Sequence, residues 1–440
     1  MNKKVVVIGT GPSALATAKT LLASHYSFDI TVVDVKSDTE SETKIGLKSY
    51  FGSTEVYDQT DSGLKHKNMK PVTWPSAGHG GFSRIWGAVI GENLSANFPT
   101  YIRYEMGEKE SPFSTVSALS LKERYLKTKK PKWKAANHVV AVDPAKCVMC
   151  GNCLTGCPKD AIWFAGDEWK DLNRIHYKEN FRVHTLEKTV GGVFITSSAG
   201  ERIVSDHVFL AAGAIASSQI LMRSNLIANK ISLADTATTF FPAFRLPVKE
   251  SESKFSLSQL SAELRIGNSL QSYIQIYPDS RMLAEPIIQH KPKLKFIVKK
   301  LWSHISPFML SVIMYENSDI SPSLDLELSN DGRFRISKSK SKKAAKQRAT
   351  KFLSFYYLYR DFGIIPLIFL GKKGEAGESY HFGSVKEIIQ INNKREDTAI
   401  RIVDSSALPL IEPGPITDKV MNNANKVVKD FLESYNEISN

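Results

Sequence analysis

The only four cysteines of the chain stand in one short run, Cys147, Cys150, Cys153 and Cys157. Their spacing, C-x2-C-x2-C-x3-C followed by Pro158, is that of the bacterial ferredoxin run for a [4Fe–4S] cluster. Two-residue gaps let successive thiolates curl around one cubane, with the intervening amides free to donate to its sulfurs. Zinc is the competing metal, although its sites usually pair two C-x2-C knuckles across a longer spacer. A redox-active dithiol needs only the first pair, and a third alternative is that the cysteines pack structurally and hold no metal. In two-cluster ferredoxins the fourth cysteine serves the other cluster, and this chain has no second set. Either Cys157 folds back to complete a single site, or a group other than cysteine takes the fourth position. A disulfide framework would scatter its cysteines along the chain, so the clustering points to a ligand set.

A second group of residues is arranged for an anion. Lys3 and Lys4, then the apolar stretch to Ala18, imitate a secretory signal peptide. The rival reading is a strand at Val5 to Ile8, a turn Gly9-Thr10-Gly11-Pro12-Ser13-Ala14, a helix to about Ser24, and a strand Ile30 to Val33 ending at Asp34. That is the βαβ dinucleotide fingerprint in its G-x-G-x-x-A form, and strand, turn, helix, strand and acid arriving in order favour it. Gly9 makes the tight turn, Gly11 lets a pyrophosphate approach the backbone, and the helix N-terminus supplies amides and positive dipole. Asp34 can accept from the ribose hydroxyls.

Further glycines extend the pattern. Gly78-His79-Gly80-Gly81-Phe82-Ser83-Arg84-Ile85-Trp86-Gly87-Ala88 cannot be a comfortable helix interior, and such a run usually packs backbone close to something flat or charged. His207 to Leu221 reads as strand, small-residue turn (Ala211-Ala212-Gly213) and helix. The C-terminal piece repeats this with a strand at Ala399 to Val403, then Asp404-Ser405-Ser406, a Pro/Gly turn through Pro415 and a helix from about Thr417 to Tyr435. Three separated segments thus build one nucleotide-binding sheet. Phe181 to Thr185 and Gly192 to Thr196 read as a short hairpin-rich sheet between them.

The order of these segments resembles the glucose–methanol–choline (GMC) family of flavoprotein oxidoreductases. The matching residues are Gly9 to Ala14 with Asp34, Gly80 to Gly87, Ala211-Ala212-Gly213, and Ile402-Val403-Asp404-Ser405-Ser406-Ala407-Leu408-Pro409. The resemblance implies FAD. Gly9, Gly11, Pro12, Ser13, Ala14 and Asp34 would hold its ADP half. The loop with Gly80, Gly81, Ser83, Trp86 and Gly87 would lie along the isoalloxazine, Ala212 and Gly213 would touch the dinucleotide again, and Asp404 with Ser405 would meet the ribityl–pyrophosphate region. Some members acting on cholesterol-like or long-chain alcohols carry a cysteine-rich run at the place of Cys147 to Cys157. Members associated with bacterial surface-polysaccharide clusters are similar in having Trp where Trp86 stands. The family pattern of His, two residues, then Gly-Thr meets Tyr380-His381-Phe382-Gly383-Ser384 here, with Tyr380 in the strict position and His381 one residue later. His381 is the expected base, with Tyr380 in reserve. The family's second His or Asn before a Pro is replaced by Gly414 before Pro415.

The expected fold class is α/β. A Rossmann-like FAD-binding domain is assembled from 1–135, 171–224 and 379–440, with a small ferredoxin-like insert at 136–170. An α+β substrate domain on an antiparallel sheet spans 225–378. Within it, Leu324 to Leu328, the turn Asn330-Asp331-Gly332 and Arg333 to Ile336 read as a hairpin. A flavin takes two electrons and a cubane passes them singly, so the pair would convert between hydride chemistry and a ferredoxin-like or quinone carrier. That favours a dehydrogenase or reductase acting on a hydroxyl or carbonyl of a sugar-like or lipid-linked molecule, working in the reducing cytoplasm, with polysaccharide biosynthesis as one setting. The alternative is a non-catalytic or repurposed flavoprotein with a binding or electron-relay role, its cysteines structural.

Composition limits the rest. A hydrophobic fraction of 42% and a charged fraction of 23% over 440 residues describe a globular chain of two or three domains and exclude a disordered or fibrous one. The apolar run Phe362 to Leu370 is far short of the ~20 residues that span a bilayer. Fifty-eight basic against 45 acidic side chains give +13, and nearly all of that excess sits in two runs. One is Lys291, Lys293, Lys295, Lys299 and Lys300; the other is Lys338, Lys340, Lys342, Lys343, Lys346, Arg348 and Lys351. Apolar–aromatic sequence follows each. A peripheral contact with anionic lipid on the inner face of the membrane fits this pattern, and a solvated helix face beside buried aromatics is the plainer reading. No nucleic-acid-binding fold accompanies the charge.

Overall fold

The computed structural model describes residues 2–35, 65–66, 79–84, 86–91, 97–98, 102–104, 131–136, 138–150, 152–153, 157–245, 257–258, 260–277, 296, 300, 304–305, 308–339, 341, 343–371, 382–393 and 399–439. Its centre is a five-stranded parallel sheet. Strands β1 (Lys3–Ile8), β2 (Phe28–Val33), β3 (Ile175–Lys178), β7 (His207–Leu210) and β15 (Ile400–Ile402) lie in the order β15-β7-β1-β2-β3. Strand β1 is flanked on both sides, with Val5 opposite His207 and Ile30. A strand buried on both faces reads as an unbroken apolar run, and Val5 to Ile8 does so.

The two faces of that sheet are covered differently. Val5, Val7, Ile30, Val32 and Phe209 point to helix α1 (Pro12–Leu22) and the C-terminal helix α6 (Thr417–Ser439). Thr20 Oγ1 donates to Asn425 Oδ1 at 2.8 Å between those helices. Val6, Ile8, Val33, Val208 and Leu210 point to the other face, against the three-stranded antiparallel sheet β4 (Val183–Thr189), β5 (Gly192–Ser197) and β6 (Arg202–Ser205), and against α3 (Ala214–Arg223). The first βαβ unit and the later strand–turn–helix units therefore fold as the sequence indicates, with segments far apart in the chain meeting in one sheet.

The second large element is a six-stranded antiparallel sheet. Its order is Ile365–Pro366, β9 (Thr238–Phe244), β12 (Met309–Glu316), β11 (Ser269–Tyr277), β10 (Leu260–Ile266) and Pro131–Ala136. Period-two alternation divides β11: Ser272, Ile274 and Ile276 face outward, and Tyr273 and Tyr277 face the core shared with β1 and α1. Helix α4 (Ala344–Phe362) covers the outward face, where Ser272 and Ser354 share a 2.8 Å hydrogen bond. A further sheet joins Phe382–Gly383, β8 (Lys230–Asp235), β13 (Ser323–Leu328), β14 (Phe334–Lys338) and Lys65–His66; β13 and β14 are the expected hairpin.

Several short strands cross the sequence-based division of the chain, among them Phe382–Gly383, which pairs with β8. Pro131–Ala136, which by sequence straddles the boundary between the nucleotide-binding part and the cysteine insert, adds an edge strand to the six-stranded sheet, with Trp133 opposite Leu264. Lys65–His66 likewise pairs with β14. Strand pairing over such separations is set by tertiary packing, and local pattern does not reveal it. Among the described residues no helix is long and apolar enough to cross a membrane.

Candidate functional site

The site grows from the carboxyl ends of β1 and β2. Gly9 has φ +108°, and a Cβ there would stand 2.5 Å from the carbonyl oxygen of Ala211, so only glycine lets the turn after β1 pass the turn after β7. Gly11 is the N-cap of α1 and Pro12 its first residue, with no side chain capping the helix. The first-turn amides at Ser13 and Ala14 are thus left for an external anion, at the positive end of the helix dipole. Ser13 and Ala14 are themselves buried.

Thr10 connects three parts of this corner. Its hydroxyl accepts from Gly80 N at 3.0 Å and donates to Asp34 Oδ2. Asp34 Oδ1 accepts from Val35 N at 2.7 Å, which leaves the carboxylate capacity for further donors. Burial pushes the Asp34 carboxyl above its ordinary value, against the pull of Thr10, Val35 and His79. These residues fit the ADP half of FAD, namely a bare helix N-terminus for pyrophosphate and a partly satisfied carboxylate for ribose.

The glycine loop packs on this turn. A Cβ at Gly81, where φ is +55°, would come 3.1 Å from Gly11 Cα, so the two turns meet backbone to backbone. Ser83 Oγ donates to Gly80 O at 2.6 Å and accepts from Ala165 N at 3.1 Å; its role is to shape the loop. Trp86 turns inward. It is 7% exposed, its indole donates to Trp163 O at 3.0 Å, and its ring stacks on Phe98 with 5.7 Å between centroids. Gly87 follows it, partly buried.

The stretch after the cysteine run is fastened to the same corner. Trp169 Nε1 donates to Thr10 O at 2.8 Å, and Glu168 pairs with Lys19 of α1 while accepting from the Trp163 indole. His79 Nε2 lies 3.0 Å from Gly166 O, and its Nδ1 lies 3.1 Å from the Tyr177 hydroxyl. A carbonyl only accepts, so His79 Nε2 is the donor to Gly166 O. Burial, with the nearby charges of Asp34 and Glu179, raises the Tyr177 phenol well above its usual range.

No disulfide joins the four cysteines. Cys147, Cys153 and Cys157 lie partly buried against the core that holds Trp86 and Trp163, whereas Cys150 is exposed. Ala161 N donates to Cys157 Sγ at 3.3 Å, a bond that favours sulfur bearing negative charge. Among the described residues no three His, Cys, Asp or Glu side chains are drawn together as a metal group. The donor chemistry nevertheless fits a cubane, with sulfur donors only and an amide directed at one of them.

The C-terminal segment closes the far side. Asp404 is 2% exposed, accepting from Gly213 N and Ser217 Oγ on Oδ2 and from Ser406 N and Oγ on Oδ1. Burial raises its carboxyl above the ordinary value, opposed by those donors. Its side chain thereby ties the turn at Ala212 and Gly213, where Gly213 has φ +87°, to the end of β15. Ser405 O accepts from Ser384 N at 2.9 Å and Ser406 O from Val385 N at 2.8 Å, which anchors the strand following residue 381. Tyr380 and His381 lie outside the described residues. Gly414, at φ +100°, faces the ring of Tyr273, 3% exposed on β11.

Sequence reading did not single out Thr10, His79, Trp169, Tyr177 or Tyr273. Thr10 carries a signal in hindsight, as the variable residue between the two turn glycines. The others act through contacts between distant segments and carry none.

The 4Fe–4S binding domain family model matches residues 140–163. No curated protein matches the chain. Among solved structures, pyridoxine 4-oxidase from Mesorbium loti is 12% identical with a TM-score of 0.58, over 98% of this chain and 99% of that one. A formate oxidase of Aspergillus oryzae RIB40, studied for FAD modification, is 10% identical with a TM-score of 0.60, over 99% of each chain. Similarity at this identity speaks to the fold, and its reach over nearly the whole chain makes that plain. The chain has the fold of the GMC-type FAD oxidoreductases, with a segment matching 4Fe–4S binding domains set into it.

Proposed function

We propose that this chain is an FAD-dependent oxidoreductase moving hydride between a CH–OH or carbonyl carbon of a small sugar-like or lipid-linked molecule and the flavin. In this reading Cys147, Cys150, Cys153 and Cys157 hold a [4Fe–4S] cluster that passes single electrons to or from a ferredoxin-like or quinone carrier. The observation that carries it is the bond from Trp169 to Thr10 O, which fastens the stretch following the cysteines to the dinucleotide turn. Two cofactor segments bonded to each other in this way suit a step from two-electron to one-electron chemistry.

Bound FAD would supply the hydride acceptor and the cluster a one-electron store. The first-turn amides of α1 would receive the pyrophosphate, and Asp34, positioned by Thr10, would accept from ribose hydroxyls. Gly80, Gly81 and Gly87 would form the wall beside the isoalloxazine, shaped by Ser83 and backed by the buried Trp86. Ala212, Gly213 and Ser405 would close the far side through backbone groups, with Asp404 holding that turn in place. His381, or Tyr380 in its stead, would take the substrate hydroxyl proton.

Anaerobic purification tests the reading. A yellow-brown protein with about four iron and four sulfide per chain, its flavin bleached by a candidate alcohol or reoxidised by a carrier, supports it. Flavin that no alcohol, sugar or reduced donor titrates favours a repurposed flavoprotein, and Gly414 in place of a second polar side chain is the observation behind that second reading.

A further inference from the structure

Helix α4 faces two ways. Ser354, Tyr357, Leu358 and Phe362 pack on the six-stranded sheet and are buried. On the opposite side, Ala345, Ala349, Phe352, Tyr356 and Tyr359 recur at alternating steps of four and three, which places them along one line of the helix. Phe352 is 72% exposed, Tyr356 50% and Tyr359 61%. Gly363 ends α4 in the left-handed conformation, and the chain beyond it exposes Ile365, Ile368 and Phe369, the last by 70%. Aromatic surface on this scale normally marks a binding surface.

Its rim is cationic. Arg348 and Lys346 face solvent beside the stripe, and the Arg360 guanidinium stands over the Tyr356 ring at 5.7 Å. The first turn of α4 contains no acid. The structure also reduces the positive charge that the sequence suggests. Lys351 is drawn inward to the buried Glu316 at 3.2 Å, and Asp319 takes both Lys343 at 2.5 Å and, more loosely, Lys346 at 3.9 Å. The basic run therefore divides into Lys351 and Lys343, held by Glu316 and Asp319, and cations that border the aromatic line, Arg348 with the more loosely paired Lys346.

We infer that this face of α4, continued through Phe369, lies on an anionic lipid surface. Charge complementarity selects the occupant. Phe and Tyr rings of an in-plane helix enter the headgroup boundary while lysine and arginine at its rim meet lipid phosphates. A neutral or cationic partner leaves that rim without a counter-charge. The inference is independent of the flavin reading, because α4 covers the sheet on the face opposite Tyr273.

Flotation of the full-length, cofactor-loaded protein tests it, with vesicles of phosphatidylcholine alone and of phosphatidylcholine with phosphatidylglycerol. The protein should rise with the anionic vesicles only, and added salt should weaken the association. The triple variant Phe352→Ser, Tyr356→Ser, Tyr359→Ser should stay at the bottom with its flavin spectrum and far-UV circular dichroism unchanged. Charge reversal at Lys346 and Arg348 should lower partitioning by at least about fivefold for each cation. A native protein that ignores both vesicle types, or a triple variant that floats as well as the native one, overturns the inference. Concentration-dependent dimers abolished by the triple variant, without flotation of the native protein, would overturn it too and assign the face to a second copy of the chain.

Discussion

The ring of Tyr273 stands where a side chain at residue 414 would have to go, its Cγ 2.8 Å from the place of a Cβ built on Gly414. Gly414 also has φ +100°, a conformation that L side chains rarely adopt. The departure from the GMC pattern at this position is therefore built into the six-stranded sheet, since β11 carries the ring that fills the space.

Restoring the family side chain should consequently fail. Gly414→Asn is expected to destabilise the protein by at least about 1–3 kcal/mol through backbone strain alone, with ring overlap adding to it. Combining it with Tyr273→Ala should recover part of the loss, because the overlap disappears and the strain does not. Chemical denaturation of the two single variants and the double variant measures that coupling. Equal losses with and without Tyr273 would show that the ring is not the obstacle.

Asp34→Asn should separate stability from cofactor retention. Burial raises the Asp34 carboxyl, so folding takes up a proton over the window from the ordinary value of 3.8 to the raised folded value. Stability of the cofactor-free protein falls as pH rises through that window. The variant lacks this slope and should gain stability relative to the native protein as pH increases. It should also lose FAD more readily on dilution, having exchanged one acceptor oxygen for a donor. Parallel melting curves of both proteins from acid to neutral pH would contradict the assignment.

Trp169→Phe keeps the ring and removes the indole N–H that reaches Thr10 O. A loss of about 0.5–1.5 kcal/mol in folding stability is expected for one such hydrogen bond. If the cysteine segment is held to the dinucleotide turn by this bond, flavin release should quicken while iron content stays at the native level. Iron lost together with flavin would place Trp169 in the general integrity of the fold.

Asp404→Ala should be among the most damaging single changes. It strands the buried donors of Gly213, Ser217 and Ser406 at once, at an expected cost of about 3–5 kcal/mol. Asp404→Asn, which keeps one acceptor oxygen, should cost less. Denaturant unfolding ranks the two, and the opposite order would remove Asp404 from its role as the tie between the turn at Gly213 and β15.

Local chemistry fixed much of this molecule before any packing. The turn Gly9 to Ala14 between two apolar strands, the small-residue turn before α3, the hairpin at Asn330 to Gly332 and the cysteine spacing all depend on residues a few positions apart. Such features follow from backbone freedom and side-chain period, which a sequence displays directly. Tertiary structure alone decided which way the functional groups face. It turned Trp86 into a core with Phe98 and Trp163, enclosed Asp404 among donors from another turn, and brought Trp169 to Thr10. It also drew Lys351 inward to Glu316 while leaving Phe352 and Tyr359 outside, though all three belong to one helix. Burial and hydrogen-bond partners come from other segments, up to 191 residues away for Asp404 and Gly213, and no neighbour in the chain carries that information.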